Sequence, residues 1–146
     1  MSAHAINAYL TQIRKTVESK GRVFIVEAHK LRPLGFGQGD ALIRTQPSAP
    51  LQFPDGGYME VEEFIHIDST GEVKRKAYSF HYVRGDQEYY FRYDKDPGAA
   101  QPLVHAICHL HVNDDNPRYI SHETCFEEVF EFIWENFYAP GLKRKT

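Results

Sequence analysis

The chain has 146 residues, a formal net charge of −3, and 42% hydrophobic against 25% charged residues. That length suits a single domain over 1–146 with a real core, and the slight acidity excludes a broadly basic nucleic-acid binder, though not a small local cationic site. The two cysteines, Cys108 and Cys125, form no disulfide framework, and neither a signal peptide nor an apolar run of membrane-spanning length stands out, so a cytoplasmic protein with reduced thiols is expected.

Residues 3–19 carry Ile6, Tyr9, Leu10, Ile13 and Val17 at helical spacing, which predicts an amphipathic helix capped by Ser2 and stopped at Gly21. Residues 22–32 are expected as a strand whose Val-Phe-Ile-Val centre is buried, with His29 beyond it as a structural or solvated group. The glycine-rich segment 33–40 lacks a following helix and a Lys-Ser/Thr pair, so it reads as a connecting loop rather than a phosphate cradle. A short strand follows over 41–45, then a Pro-containing loop to Phe53 and a turn over 54–57. Residues 58–68 alternate, with Met59, Val61, Ile65 and Ile67 against Tyr58, Glu60, Glu62, His66 and Asp68, while Glu63 and Phe64 fall on the wrong sides.

The centre of the chain is 78–112. Two aromatic-rich runs flank Gly85 and Asp86, a two-residue hairpin signal that pairs Arg84 with Gln87, His81 with Tyr90 and Ser79 with Arg92. Paired residues share a face. One face then holds Tyr78, Phe80, Tyr82, Tyr89, Phe91 and Tyr93, and the other Ser79, His81, Val83, Glu88, Tyr90, Arg92 and Asp94. The first is a core face and the second a polar one. After a Pro/Gly break comes a histidine-rich run over 103–112. As a strand it puts His105, Ile107, His109 and His111 on one face. As a helix it sets His105 against His109 one turn on. Its length favours the strand, with Tyr119 and Ile120 adding a stub. The last helix, 122–138, shows Phe126, Val129, Phe130, Ile133, Trp134 and Phe137 on one stripe. Thr124 and Glu127 have capping-box spacing, with Ser121 as the competing cap. A basic tail, 139–146, ends the chain. The expected architecture is α+β: a single meander-like antiparallel sheet of about five to six strands over 22–120. The N-terminal and C-terminal helices pack on one face, and a polar His/Arg/Asp-bearing face lies opposite.

These residues resemble the TumE-like family of bacterial and archaeal toxin components. The resemblance is carried by Phe91 to Asp94 after an aromatic strand, the His109-x-His111 run, a helix after a serine, and the upstream Asp55 to Glu62 segment. It implies a toxin paired with a small helix-turn-helix antitoxin, and it gives Arg92, Asp94, His109 and His111 the family's most characteristic positions. The chain departs from the family's usual Pro-His-His-Lys-His by having Cys108 in place of a histidine and Leu110 in place of the lysine. His105 is the nearest substitute for the lost imidazole.

Three chemistries fit these residue types. One is metal-independent RNA cleavage: His109 and His111 act as base and acid, Arg92 steadies the developing phosphorane charge, Asp94 orients an imidazole, and Tyr90 and His81 stand beside them. Another is a His-based metal-binding hydrolase, with a divalent ion on His109, His111 and His105 and with Asp94 or Glu60 opposite. The last is a non-catalytic binding protein whose polar face meets a partner or, through exposed sheet edges, a second copy in a homodimer. No cofactor is required by the first or the last.

Overall fold

In a computed structural model, the described residues are 2–20, 32–37, 39–46, 49–97, 107–114 and 118–139. The expected strand over 22–31 with His29, the Gly21 stop, His105 and the tail from 140 lie outside them, as does the side chain of Ser2. Helix α1 spans Ser2–Glu18. Among the described residues eight strands follow: β1 (Arg32–Gly37), β2 (Asp40–Arg44), β3 (Leu51–Gln52), β4 (Tyr58–Ile67), β5 (Val73–Val83), β6 (Tyr90–Lys95), β7 (Cys108–Val112) and β8 (Tyr119–Ile120). The chain then forms α2 (Phe126–Ile133), which widens into a π-helical turn over Trp134–Tyr138.

The strands make one antiparallel sheet in the order β1-β2-β4-β5-β6-β7-β8, with β3 paired to β4. This is the expected α+β meander, with more strands than expected. Two are extra: β3, in the Pro-containing segment read above as a loop, which pairs with β4 through Leu51–Met59 and Gln52–Tyr58, and β1, in the glycine-rich segment also read as a loop. It pairs with β2 from Arg32–Arg44 to Gly37–Asp40, with a bulge between Gly35 and Gly37. Among the described residues β1 is the sheet's edge, a position that suits Pro33, which has no N–H to give to a second neighbour. The histidine run is a strand, and Tyr119–Ile120 pairs with it as the expected stub.

One face of the sheet is apolar and carries the helices. Ile6, Leu10, Ile13 and Val17 of α1 and Phe126, Val129, Phe130 and Ile133 of α2 form one core with Met59, Val61, Ile65, Phe80, Tyr82 and Phe91. Burying each such side chain contributes about 1.5–3 kcal/mol before entropy is counted. The start of α2 is a correction. Its N-cap is Cys125, in extended conformation, with no side-chain cap bond. Thr124 donates instead from Oγ1 to Glu128 Oε1 (2.7 Å), and its backbone N–H donates to the Tyr78 hydroxyl (2.9 Å). The Thr124–Glu127 capping box is therefore not made, because the sheet has already claimed the threonine. No helix among the described residues is long and apolar enough to cross a membrane.

The hairpin register also differs from expectation. His81 pairs with Arg92, Ser79 with Asp94 and Val83 with Tyr90, a shift of two residues. Asp86 lengthens the turn. Its carboxylate takes Arg84 Nε and Nη2 (3.0 and 2.6 Å) and the Glu88 N–H (3.0 Å), and Gln87 adopts φ 60. Because the shift is even, every side chain stays on its expected face. The turn packs against a second one. Asp55 accepts from the Gly85 and Gly57 N–H groups (3.4 and 2.9 Å) and from the Tyr138 hydroxyl (2.9 Å), which in turn accepts from Tyr82 (2.9 Å).

Glu63 is the exception to the apolar face. It is fully buried beneath α1, hydrogen-bonded by Tyr9, with Arg75 Nε at 3.7 Å and Arg75 Nη2 on the Tyr9 hydroxyl at 3.2 Å. A bulge after Phe64 sets Ile65 opposite Arg75 and so turns the guanidinium to this side. Burial pushes the Glu63 carboxyl above the usual range, against the pull of Tyr9 and Arg75. A carboxyl raised in the folded state binds its proton more tightly there, so stability falls as pH rises from the ordinary Glu range through the raised value. Urea titrations at several pH values should show that slope in the native chain and lose it in Glu63→Gln. A Cβ on Gly85 would stand 2.1 Å from the Asp55 carbonyl oxygen, so Gly85→Ala should cost about 1–3 kcal/mol in the same titrations.

Candidate functional site

The face away from the helices is built by pairing alone. Arg44 lies opposite Glu62, Glu62 opposite Ser79, Ser79 opposite Asp94, and Asp94 opposite His109. The adjacent row runs Glu60, His81, Arg92, His111. Directly paired residues project to the same side. Two parallel rungs of polar side chains therefore cross the sheet, the first over five strands, β2, β4, β5, β6 and β7, and the second over four, β4, β5, β6 and β7.

The rungs border two connected depressions that share Glu62, Ser79 and Arg92. One, about 290 Å³, adds Asp94, Lys95 and Asp96, and the other, about 230 Å³, adds Arg44, Glu60 and His81. His81 is a quarter exposed. Its Nδ1 lies 3.1 Å from Glu60 Oε1, and its ring stands edge-on to Tyr90 with centroids 5.3 Å apart. A carboxylate on Nδ1 fixes the tautomer that leaves Nε2 as the acceptor. Arg92 donates from Nε to Asp94 Oδ2 at 2.8 Å.

His109 and His111 end on that same oxygen, with Nε2 atoms 3.5 and 3.3 Å away. Their rings are nearly perpendicular, with centroids 4.8 Å apart. Both are buried, at 3% and 1% exposure, while Asp94 keeps 14% of its side chain open. The other Asp94 oxygen, Oδ1, is buried and has no hydrogen-bond partner among the described residues.

The structure thus brings His81, Arg92, Asp94, His109 and His111 onto one side of the sheet, with Tyr90 at its rim against His81. His81 and Arg92 reach the depressions. His109 and His111 meet Asp94 from behind. Arg44 and Glu62 complete the first rung, and no local motif marks either of them. Only the long-range register of β2 on β4 places them there.

An antiparallel sheet armoured by helices on one side and lined with imidazole, guanidinium and carboxylate on the other defines an α+β protein with an open polar site. The family model described as Toxin TumE matches residues 37–137, and the chain belongs to this toxin family. No curated protein and no solved structure matches it.

Asp94 joins three cationic or donor groups, so its removal should be felt in stability as well as function. Asp94→Ala is expected to lower the unfolding free energy by about 1.5–3 kcal/mol, the usual scale for hydrogen bonds to a charged group. Chemical denaturation of both proteins checks it.

Proposed function

We propose that the protein is the toxin of a toxin–antitoxin pair and that its open sheet face cleaves RNA. The observation that carries this reading is the Glu60–His81 pair directly beside Arg92. Glu60 orients the imidazole, and the His81 Nε2 takes the proton from a ribose 2′-hydroxyl. The oxygen that loses the proton attacks the neighbouring phosphorus. Arg92, already aligned by Asp94, stabilises the charge that builds on the phosphate oxygens. The P–O5′ bond breaks, and the leaving oxygen is protonated by the Tyr90 phenol at the rim. The products are a 2′,3′-cyclic phosphate and a free 5′-hydroxyl. Membership of a toxin family supports the toxin role and an antitoxin partner, and a small helix-turn-helix protein fits that place.

This assignment moves the base from the buried His109–His111 pair to His81, which solvent and substrate can reach. Two guanidiniums, Arg44 and Arg92, face at least as many carboxylates in the depressions. RNA binding should therefore be weak, with a salt slope of about −1.4 for two phosphate contacts.

The second reading is a binding protein without catalysis. It is favoured by the depth of His109 and His111, which leaves the two-histidine arrangement out of reach of a bulky substrate. Incubation of the purified protein with single-stranded RNA separates the two. Cleavage that falls about 100-fold or more in His81→Ala and in Arg92→Ala supports the nuclease. RNA that is bound and left intact supports the second reading, and cleavage indifferent to both substitutions removes the proposed site.

A further inference from the structure

We infer that Asp94, His109 and His111 form a binding site for one divalent transition-metal ion. Three ligand atoms, one from each residue, lie within 4.8 Å of one another on the paired strands β6 and β7. The distances decide between a hydrogen-bonded cluster and a coordination shell. An imidazole N–H bonded to a carboxylate approaches to about 2.7–2.9 Å. Here both Nε2 atoms stop farther out, at 3.5 and 3.3 Å, whereas Arg92 Nε reaches the same oxygen at 2.8 Å. Ligands held at 2.0–2.1 Å around a tetrahedral ion stand about 3.4 Å from each other, which matches the two histidine–Asp94 spacings, and the two imidazoles would close on the ion from a set that spans up to 4.8 Å.

Three further features fit. Asp94 Oδ1 is a buried acceptor with no hydrogen-bond partner among the described residues, which is costly unless something else takes it. A carboxylate has about four lone-pair sites, so Arg92 can hold Asp94 from outside while a metal sits within. With Asp94 counted, the depressions carry four carboxylates, the others being Glu60, Glu62 and Asp96, against three cations, Arg44, Arg92 and Lys95. That surplus of negative charge is what a nearby dication would neutralise.

Two imidazoles and one carboxylate are borderline ligands that suit Zn²⁺, and also Fe²⁺ or Mn²⁺. Three protein ligands leave a fourth position for water, and Asp94, 14% open, also lines the depression that holds Ser79 and Arg92. Cys108 alternates to the opposite face of β7 and takes no part.

The test uses the full chain without a histidine tag. The protein is stripped with a chelator, dialysed against Zn²⁺ or Co²⁺ and washed. Ions per chain are counted, and the visible spectrum of the Co²⁺ form is recorded. The expected result is about one ion per chain and the intense absorption of tetrahedral Co²⁺. His109→Gln and Asp94→Asn should each weaken binding by about 100-fold or more, and Arg92→Ala by about 10-fold. Wild-type protein retaining less than about 0.1 ion per chain overturns the inference, since a three-ligand site should hold its metal through washing. Full retention by a His109→Gln, His111→Gln double variant overturns it as well. The Co²⁺ spectrum needs only the native chain, so it decides the matter even where a variant fails to fold. Metal retention is independent of RNA cleavage: loss of the nuclease reading would leave this site standing, and the reverse also holds.

Discussion

Strand register is the constraint from which the rest of the molecule follows. A pleated strand sends alternate residues to opposite sides, and pairing aligns those sides across neighbours. Once β4, β5, β6 and β7 are locked as Val61–Phe80, Tyr82–Phe91 and Phe91–Val112, the sorting is complete. Apolar rings go beneath the helices, and charged and imidazole groups go to the other side. A slip of one residue in β6 alone would put Arg92 and Asp94 into the core and expose Phe91. Burial of the aromatic side therefore enforces the alignment of the polar side, and stability and site geometry have one origin.

The two faces treat charge differently. On the polar face, charge is shared between neighbours on successive strands and stays partly wet, apart from the His109–His111–Asp94 corner. On the apolar face, a lone carboxyl, Glu63, is carried in with its own partners, Tyr9 and Arg75. Removing one partner of such a set leaves a buried group without compensation, and its role in fixing how α1 lies on the sheet follows from that cost. The bulge after Phe64 is what makes the set possible, by switching which β5 side chains point inward.

Much of this was visible in the sequence. Periodicity located α1, the body of α2, and the strands β4 to β7. Hairpin pairing put His81, Arg92 and Asp94 on one side, and the two-residue spacing of His109 and His111 put that pair on one face of its own strand. Parity is robust, because the hairpin moved by two residues without changing any face. What escaped depended on information that is not local. Asp86 set the turn length through three bonds that a dipeptide signal does not show. Thr124 left its capping role because Tyr78, 46 residues away, engaged its N–H. The segment 33–37 looked like a loop, yet it pairs with β2 as a further strand of the sheet. Alternation says which side a histidine faces. It does not say how deeply it sits, so the burial of His109 and His111 had no signature.

The turn at Asp55 has a mechanical implication. Its carboxylate is gripped by the widened end of α2, through Tyr138, and by the tip of the β5–β6 hairpin, through Gly85. Three segments distant in the chain thus share one pivot at a single rim of the sheet. Force or slack applied at the C-terminal helix is delivered to the hairpin whose second arm holds Arg92 and Asp94. Any partner that grips or pries that helix acquires a lever on the polar side without ever touching it.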